Sequence, residues 1–180
     1  MTGMVIESGR ILLRPWRDED RAPFAAMGAD PEVMRYLGPL QTRAETDAGI
    51  DRSNASIAEH GFGFWALERI ADASLLGFCG LKRITIAGPM LGEVEIGWRL
   101  RRDAWGQGYA FEAARASRDH GLLFLRLPEL FAFTVAANTR SWGLMERLGM
   151  VRRAELDFDH PNLGASDPLR PHIVYSIDAD

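Results

Sequence analysis

The sequence has one cysteine, Cys79, in 180 residues. An internal disulfide is therefore excluded. The setting Leu76-Gly77-Phe78-Cys79-Gly80-Leu81 predicts a buried strand thiol, with no histidine beside it to make a nucleophile of it. Lysine is equally scarce: Lys82 is the single lysine among 21 basic residues, a bias that suggests GC-rich bacterial coding. No stretch approaches the roughly 20 apolar residues of a membrane-crossing helix, and the first residues lack the basic-then-apolar profile of a secretory signal. A cytoplasmic protein with no membrane partner is expected. His60, His120, His160 and His172 lie far apart and form neither an HExxH word nor a Cys/His cluster, so no metal is expected. The net charge of −4 argues against a nucleic-acid partner, because binding phosphodiester polymers rests on summed positive charge.

Residues 1–180 suit one domain, and a hydrophobic content of 47% is ample for a single core. Ile11 to Pro15 reads as a strand, and Asp18 or Asp20 as the cap of a helix reaching Met27. Asp30-Pro31 opens a short helix to Leu37, and Thr42 caps a longer one over Arg43 to Glu59 that Gly61 ends. From Gly63 the pattern shortens. Phe64 to Arg69 and Leu75 to Thr85 form a hairpin, and a further strand runs from Glu93 to Leu100. A helix to about Phe124, a strand at Leu130 to Val135 and a helix at Thr139 to Leu148 follow. Strands near Val151 to Asp159 and Pro171 to Ile177 close the chain. Strands first and interleaved helices later make a mixed α/β (α+β) sheet of about seven strands with helices on both faces.

The most informative stretch runs from Glu95 to Ala114, a strand, a glycine turn and a helix start. Gly106 and Gly108 remove the Cβ atoms that would hold a ligand off the backbone, and the first amides of the following helix have no intrahelical acceptor. Such a corner favours phosphate oxygens. A Walker loop is excluded because Tyr109-Ala110 follows Gly108 where Lys-Ser/Thr is required, and a dinucleotide fingerprint is excluded because Phe111 replaces its third glycine.

Trp105-Gly106-Gln107-Gly108-Tyr109-Ala110 resembles the pyrophosphate loop of the GNAT superfamily of N-acetyltransferases, Gln/Arg-x-x-Gly-x-Gly/Ala, with Trp105 as the one departure. Asn138-Thr139-Arg140-Ser141 and Leu148-Gly149-Met150 are similar to the Asn-x-x-Ser helix and strand entry of the same superfamily. Together with Gly9-Arg10-Ile11-Leu12-Leu13-Arg14-Pro15-Trp16 and His172-Ile173-Val174-Tyr175, they resemble the branch that holds the acetyltransferases of ribosomal-protein N-termini. The resemblance implies a GNAT-like fold with splayed fourth and fifth strands. It also implies acetyl-coenzyme A as co-substrate and an amine acceptor, either a peptide N-terminus or a small molecule. Polyamine, aminoglycoside and amino-acid acceptors all stay open. A homodimer stays open too.

The same resemblance distributes the site. Gly106, Gln107, Gly108, Tyr109, Ala110 and Phe111 would hold the diphosphate through their N–H groups, and the backbone of Trp98 and Leu100 would pair with the pantetheine arm as an added strand. Arg99, Arg101, Arg102 and Arg140 are candidates for the coenzyme phosphates. Asn138, most simply a helix cap, would also touch the cofactor arm. Ser141 would give a proton to sulfur or anchor a water; Met145 stands where many members carry a tyrosine, which moves the acid role to Ser141 or removes it. For the base, Glu93 and Glu95 share one side of a strand, and shielding would raise a carboxylate toward a useful pKa. Glu95 is the choice, directly or through water, with Glu93 and His160 as alternatives and a solvated strand face as the plain reading. Trp16, Tyr36 and Trp65 are candidates for an acceptor pocket or for core. A non-catalytic acyl-coenzyme A sensor is the alternative function.

Overall fold

A computed structural model describes residues 4–179 of the chain. Strands β1 (Ile6–Ser8) and β2 (Ile11–Arg14) form a hairpin. A 3-10 turn at Asp18–Asp20 leads into α1 (Arg21–Gly28), α2 (Pro31–Met34) and α3 (Arg43–His60). Next come β3 (Phe64–Arg69), β4 (Ser74–Arg83) and β5 (Val94–Leu100), then α4 (Tyr109–Asp119), prolonged by a π-helical turn at His120–Phe124. The rest is β6 (Glu129–Thr134), α5 (Thr139–Arg147), β7 (Val151–Arg152), β8 (Phe158–Asp159) and β9 (Pro171–Asp178).

The caps explain the helix limits. At α3 the Glu45 N–H donates to Thr42 Oγ1 at 3.2 Å while Thr42 N–H donates to Glu45 Oε2 at 2.7 Å, a reciprocal pair that fixes the first turn. Gly61, at φ 77°, ends the same helix in the left-handed region. The Asp30 carboxylate accepts the Glu32 N–H at 2.9 Å and starts α2. Asp20 behaves differently from the expected cap. It is 3% exposed and turned inward, where it takes both terminal nitrogens of Arg14 at 2.7 and 3.0 Å. Glu68 receives Arg14 Nε at 2.6 Å. A buried guanidinium needs this company more than a short helix needs a cap.

The sheet order is β1-β2-β3-β4-β5-β6-β9-β7, with β8 also on β9. Every pairing is antiparallel except β5 with β6. Nine strands stand among the described residues where about seven were expected. The first extra one is β1. The second arises because Val151 to Asp159 is two short strands around a 3-10 turn at Ala154–Leu156. There the Asp157 carboxylate accepts the Val174 N–H at 3.1 Å and replaces a backbone partner in the ladder.

Alternation divides the side chains between two faces. Leu67, Cys79, Leu81, Val94, Ile96, Leu130 and Ala132 pack with Ala113 and Ala114 of α4 and with Leu144, Met145 and Leu148 of α5 in the main core. Fully burying each such leucine contributes about 1.5–3 kcal/mol. On the other face, Ala66, Leu75 and Phe78 meet Phe24 and Met27 of α1, Val33 of α2 and Ile50 of α3. Phe131 and Val174 continue that second face with Ile84 and Met90.

Candidate active site

At the end of β5 the chain makes a 3-10 turn at Arg102–Ala104 and then the glycine corner. Gly106 and Gly108 sit at φ 72° and 84°, a region that a Cβ disfavours. Helix α4 begins immediately, its first intrahelical bond running from Glu112 N–H to Gly108 O at 3.1 Å. Among the described residues, none of the amides from Gly106 to Phe111 has a protein acceptor. Side chains brace the corner from outside. Gln107 Nε2 donates to Asp103 O at 2.7 Å, and Arg10 donates to Gln107 O at 3.1 Å while lying 4.4 Å over the Tyr109 ring.

Trp105, the departure from the expected loop pattern, has a structural role: its indole N–H donates to the Leu100 carbonyl at 2.9 Å, tying the loop back to β5. Arg140 at the start of α5 lies 5.0 Å over the same ring. It therefore borders the corner, whereas Arg101 pairs with Asp103 at 2.8 Å and donates to Leu75 O.

Strands β5 and β6 are joined only at Glu95 opposite Phe131, whereas β6 and β9 pair along six residues. Beyond Glu95 the two strands part. Arg101 N–H bonds Leu76 O across to β4, so alternation turns the backbone groups of Trp98 and Leu100 into the gap. Because Trp105 holds the Leu100 carbonyl, the groups left there are those of Trp98 and the Leu100 N–H. Asn138 faces this region without acting as the expected side-chain cap. Its amide donates to Thr134 Oγ1 at 3.0 Å at the end of β6, and its backbone carbonyl accepts from Ser141 and Trp142. Ser141, partly buried in the first turn of α5, makes no side-chain hydrogen bond among the described residues. Met145 is core, 2% exposed.

Glu95, Gly97 and Arg99 point to the face of α1 to α3. Glu95 has 16% of its side chain exposed and sits opposite Lys82, with Nζ at 3.7 Å. Burial raises its pKa, and Lys82 offsets part of that rise. Glu93 lies outside β5 and is exposed. A Cβ at Gly97 would come within 3.1 Å of Phe64, so the bare residue lets that ring lie over the strand. Phe64 stacks on Phe78 at 4.7 Å, and Arg99 lies over Phe78 and Phe24 at 5.4 and 5.7 Å. Arg99 donates to Gln41 Oε1 at 2.7 Å, on the side of the sheet opposite α4.

His160 and His172 flank the same face near β6, their rings 5.2 Å apart and His172 5.9 Å from Phe133. Burial lowers both pKa values and so favours the neutral imidazoles. Trp16 joins the aromatic cluster with its indole N–H on Phe64 O at 2.6 Å. Trp65 does not: it is 0% exposed in the main core, edge-on to His120. Tyr36 lies under Arg35 at 5.3 Å. Sequence reasoning missed Lys82, Gln41, Phe24, Phe64 and Phe78. Only Lys82 carried a signal, as the one lysine on a strand that pairs with β5.

The family profile described as Acetyltransferase (GNAT) domain matches residues 10–151. Protein YkkB of Bacillus subtilis is 32% identical over 142 residues, covering 78% of this chain and 81% of its own. The N-acetyltransferase p20 of Bacillus licheniformis is 29% identical over 150 residues, 82% of each chain. The crystal structure of a GNAT-family acetyltransferase from Bacillus anthracis superposes with a TM-score of 0.81 at 23% identity, covering 98% and 99% of the two chains. Ribosomal-protein acetyltransferases are also among its fold neighbours. The protein belongs to the GNAT family, and it is an acetyl-coenzyme A-dependent N-acetyltransferase. Among the described residues no helix is long and apolar enough to cross a membrane, and no His/Cys/Asp/Glu group is placed to hold a metal ion.

Proposed function

We propose that this chain acetylates a primary amine, of a peptide N-terminus or a small molecule, by direct attack on acetyl-coenzyme A in a ternary complex, with Glu95 as the base. The observation that carries this reading is the position of Glu95. It is the last residue at which β5 pairs with β6, so its shielded carboxylate stands where the gap opens on the acceptor face. The free amides of Gly106 to Phe111 suit the coenzyme diphosphate, and the gap beside Trp98 suits the pantetheine arm as an added strand. Asn138, whose side-chain carbonyl has no protein partner among the described residues, borders the same gap.

The chemistry follows from these positions. Glu95 takes a proton from the bound ammonium, and the neutral amine attacks the thioester carbon. The unpaired Trp98 N–H is aimed to receive the carbonyl oxygen as it gains charge. Collapse breaks the carbon–sulfur bond, and the surplus proton on the attacking nitrogen passes through Ser141 or water to the leaving thiolate. Cys79 forms no acyl-enzyme: it is 0% exposed, and burial pushes its thiol up to about 12. Initial-rate kinetics with an amine panel test the reading. Intersecting double-reciprocal lines support a ternary complex, and Glu95→Gln should lower kcat about 10²- to 10⁴-fold while coenzyme binding persists. A wild type that binds acetyl-coenzyme A but acetylates no amine would support the sensor instead, and one that does not bind it would refute both.

A further inference from the structure

Arg14 is buried and Arg99 is half-buried with its Nε covered, and the two are treated in opposite ways. Arg14 is 3% exposed and meets two carboxylates, Asp20 and Glu68. Arg99 meets none: among the described residues no acidic oxygen lies within 4.0 Å of it. Its single hydrogen bond is to the neutral Gln41 amide, its Nε is buried without an acceptor, and its flat faces rest near Phe24 and Phe78. Desolvation alone pulls its pKa down to about 10. A shielded cation with no counter-charge is destabilising, and removing it for an apolar side chain of like volume is commonly neutral or favourable to stability. What the fold gains from it is one hydrogen bond to a neutral amide and its packing over two rings, with no ion pair.

The place of Arg99 says what it awaits. It projects from β5 on the same face as Glu95, four residues further on, which is roughly 13 Å along the strand from Cα to Cα. Bare Gly97 and the Phe64 ring lie between them. One end of this row attracts an ammonium and the other an anion. We propose that Arg99 binds a carboxylate of the acceptor, so that the substrate is an amine that also carries a carboxylic acid. A carboxylate fits better than a phosphate dianion, because one guanidinium supplies one charge and the next arginine on that face, Arg101, is already paired with Asp103. Gln41 would then be a neutral placeholder on the guanidinium until the acid arrives.

The proposal rests on the acetyl-transfer reading, and its test separates the two. Acetylation is measured for matched pairs: amino acids and short peptides, the same compounds decarboxylated or amidated, and aminoalkyl phosphates. The wild type should prefer the carboxylates by about 10- to 100-fold in kcat/KM. Arg99→Met should erase that preference, Arg99→Lys should restore part of it, and neither should change the affinity for coenzyme A. A second readout needs no turnover: with coenzyme A present, N-acetylamino acids should raise the melting temperature of the wild type and not of Arg99→Met. Arg99→Met itself should melt at or above the wild-type temperature, which guards against a loss caused by misfolding. Equal rates with and without the acid group, preference for the phosphate, or a fall in coenzyme affinity in Arg99→Met would each overturn the assignment and leave acetyl transfer standing. If no amine is acetylated, absence of the carboxylate-dependent melting shift overturns it as well.

Discussion

Gly106→Ala isolates the glycine corner from the rest of the fold, provided it is compared with Gly92→Ala. Both glycines have positive φ, 72° and 89°, and a Cβ added at either would meet no atom within 4 Å. Each substitution therefore carries the same backbone penalty, about 1–2 kcal/mol for an L residue in the left-handed region, and no steric clash. At about 2–4 °C per kcal/mol for a domain of this size, both variants should melt roughly 2–8 °C below the wild type. Their ligand behaviour should differ. Gly106 orients amides that have no protein acceptor, whereas Gly92 belongs to the β4–β5 loop, its N–H on Ile84 O. The added Cβ should hold the phosphate off the amides and cost about one charge-assisted contact, weakening coenzyme A by about 10- to 100-fold in Gly106→Ala, and Gly92→Ala should bind as the wild type does. Isothermal titration with coenzyme A, at a temperature where both are folded, decides it. Equal affinities in the two variants would refute the diphosphate role of the corner.

Four further outcomes are expected. Burial raises the Glu95 pKa, so kcat/KM should fall as pH drops through that raised value, and Glu95→Gln should abolish this acid limb. The sign for stability is opposite: a carboxylate whose pKa is higher folded than unfolded favours the fold at low pH and loses that advantage as pH rises through the folded value. Glu95→Gln should then be at least as heat-stable as the wild type near pH 7. Asp20→Ala strands one side of the buried Arg14 guanidinium and should cost about 3–5 kcal/mol, read as a lower urea midpoint at unchanged m-value. Cys79 should resist a thiol reagent at pH 8 in the native protein and react once after denaturation, because its thiol is held near 12.

Helix limits were legible because they rest on local chemistry: Thr42, Glu45 and Gly61 mark both ends of α3 within three residues of each. The glycine corner was legible for the same reason. Asp20 was misread because an acid before an apolar stretch signals a cap equally well whether or not a buried arginine claims it, and the claim comes from Arg14 and Glu68 through tertiary packing. The division of Val151 to Asp159 depends on Asp157 entering a ladder with Val174, seventeen residues away. The face that carries Glu95 and Arg99 was the least legible part. Its rings and Gln41 come from α1, β3, β4 and the segment before α3, and no spacing in the sequence announces that Phe24 and Phe78 converge on Arg99 while Phe64 stacks on Phe78.

Strand β5 has a layout that suits the two substrates of the proposed transfer. Alternate residues of a strand send their backbone groups to opposite neighbours and their side chains to opposite faces. Trp98 and Leu100 therefore turn peptide groups toward the gap that β6 leaves, while Glu95, Gly97 and Arg99 send side chains, or the lack of one, into the acceptor face. The backbone set has no sequence requirement beyond being extended. The side-chain set is free to vary in order to choose an acceptor without disturbing the coenzyme. A slip of one residue would exchange the two roles and place Ile96 and Trp98 in the cleft. What prevents the slip is the seven-residue pairing with β4, in which Lys82 stands opposite Glu95 and Phe78 opposite Arg99. The register of the sheet and the charge pattern of the cleft are thus one property of the chain, fixed by the same two strands.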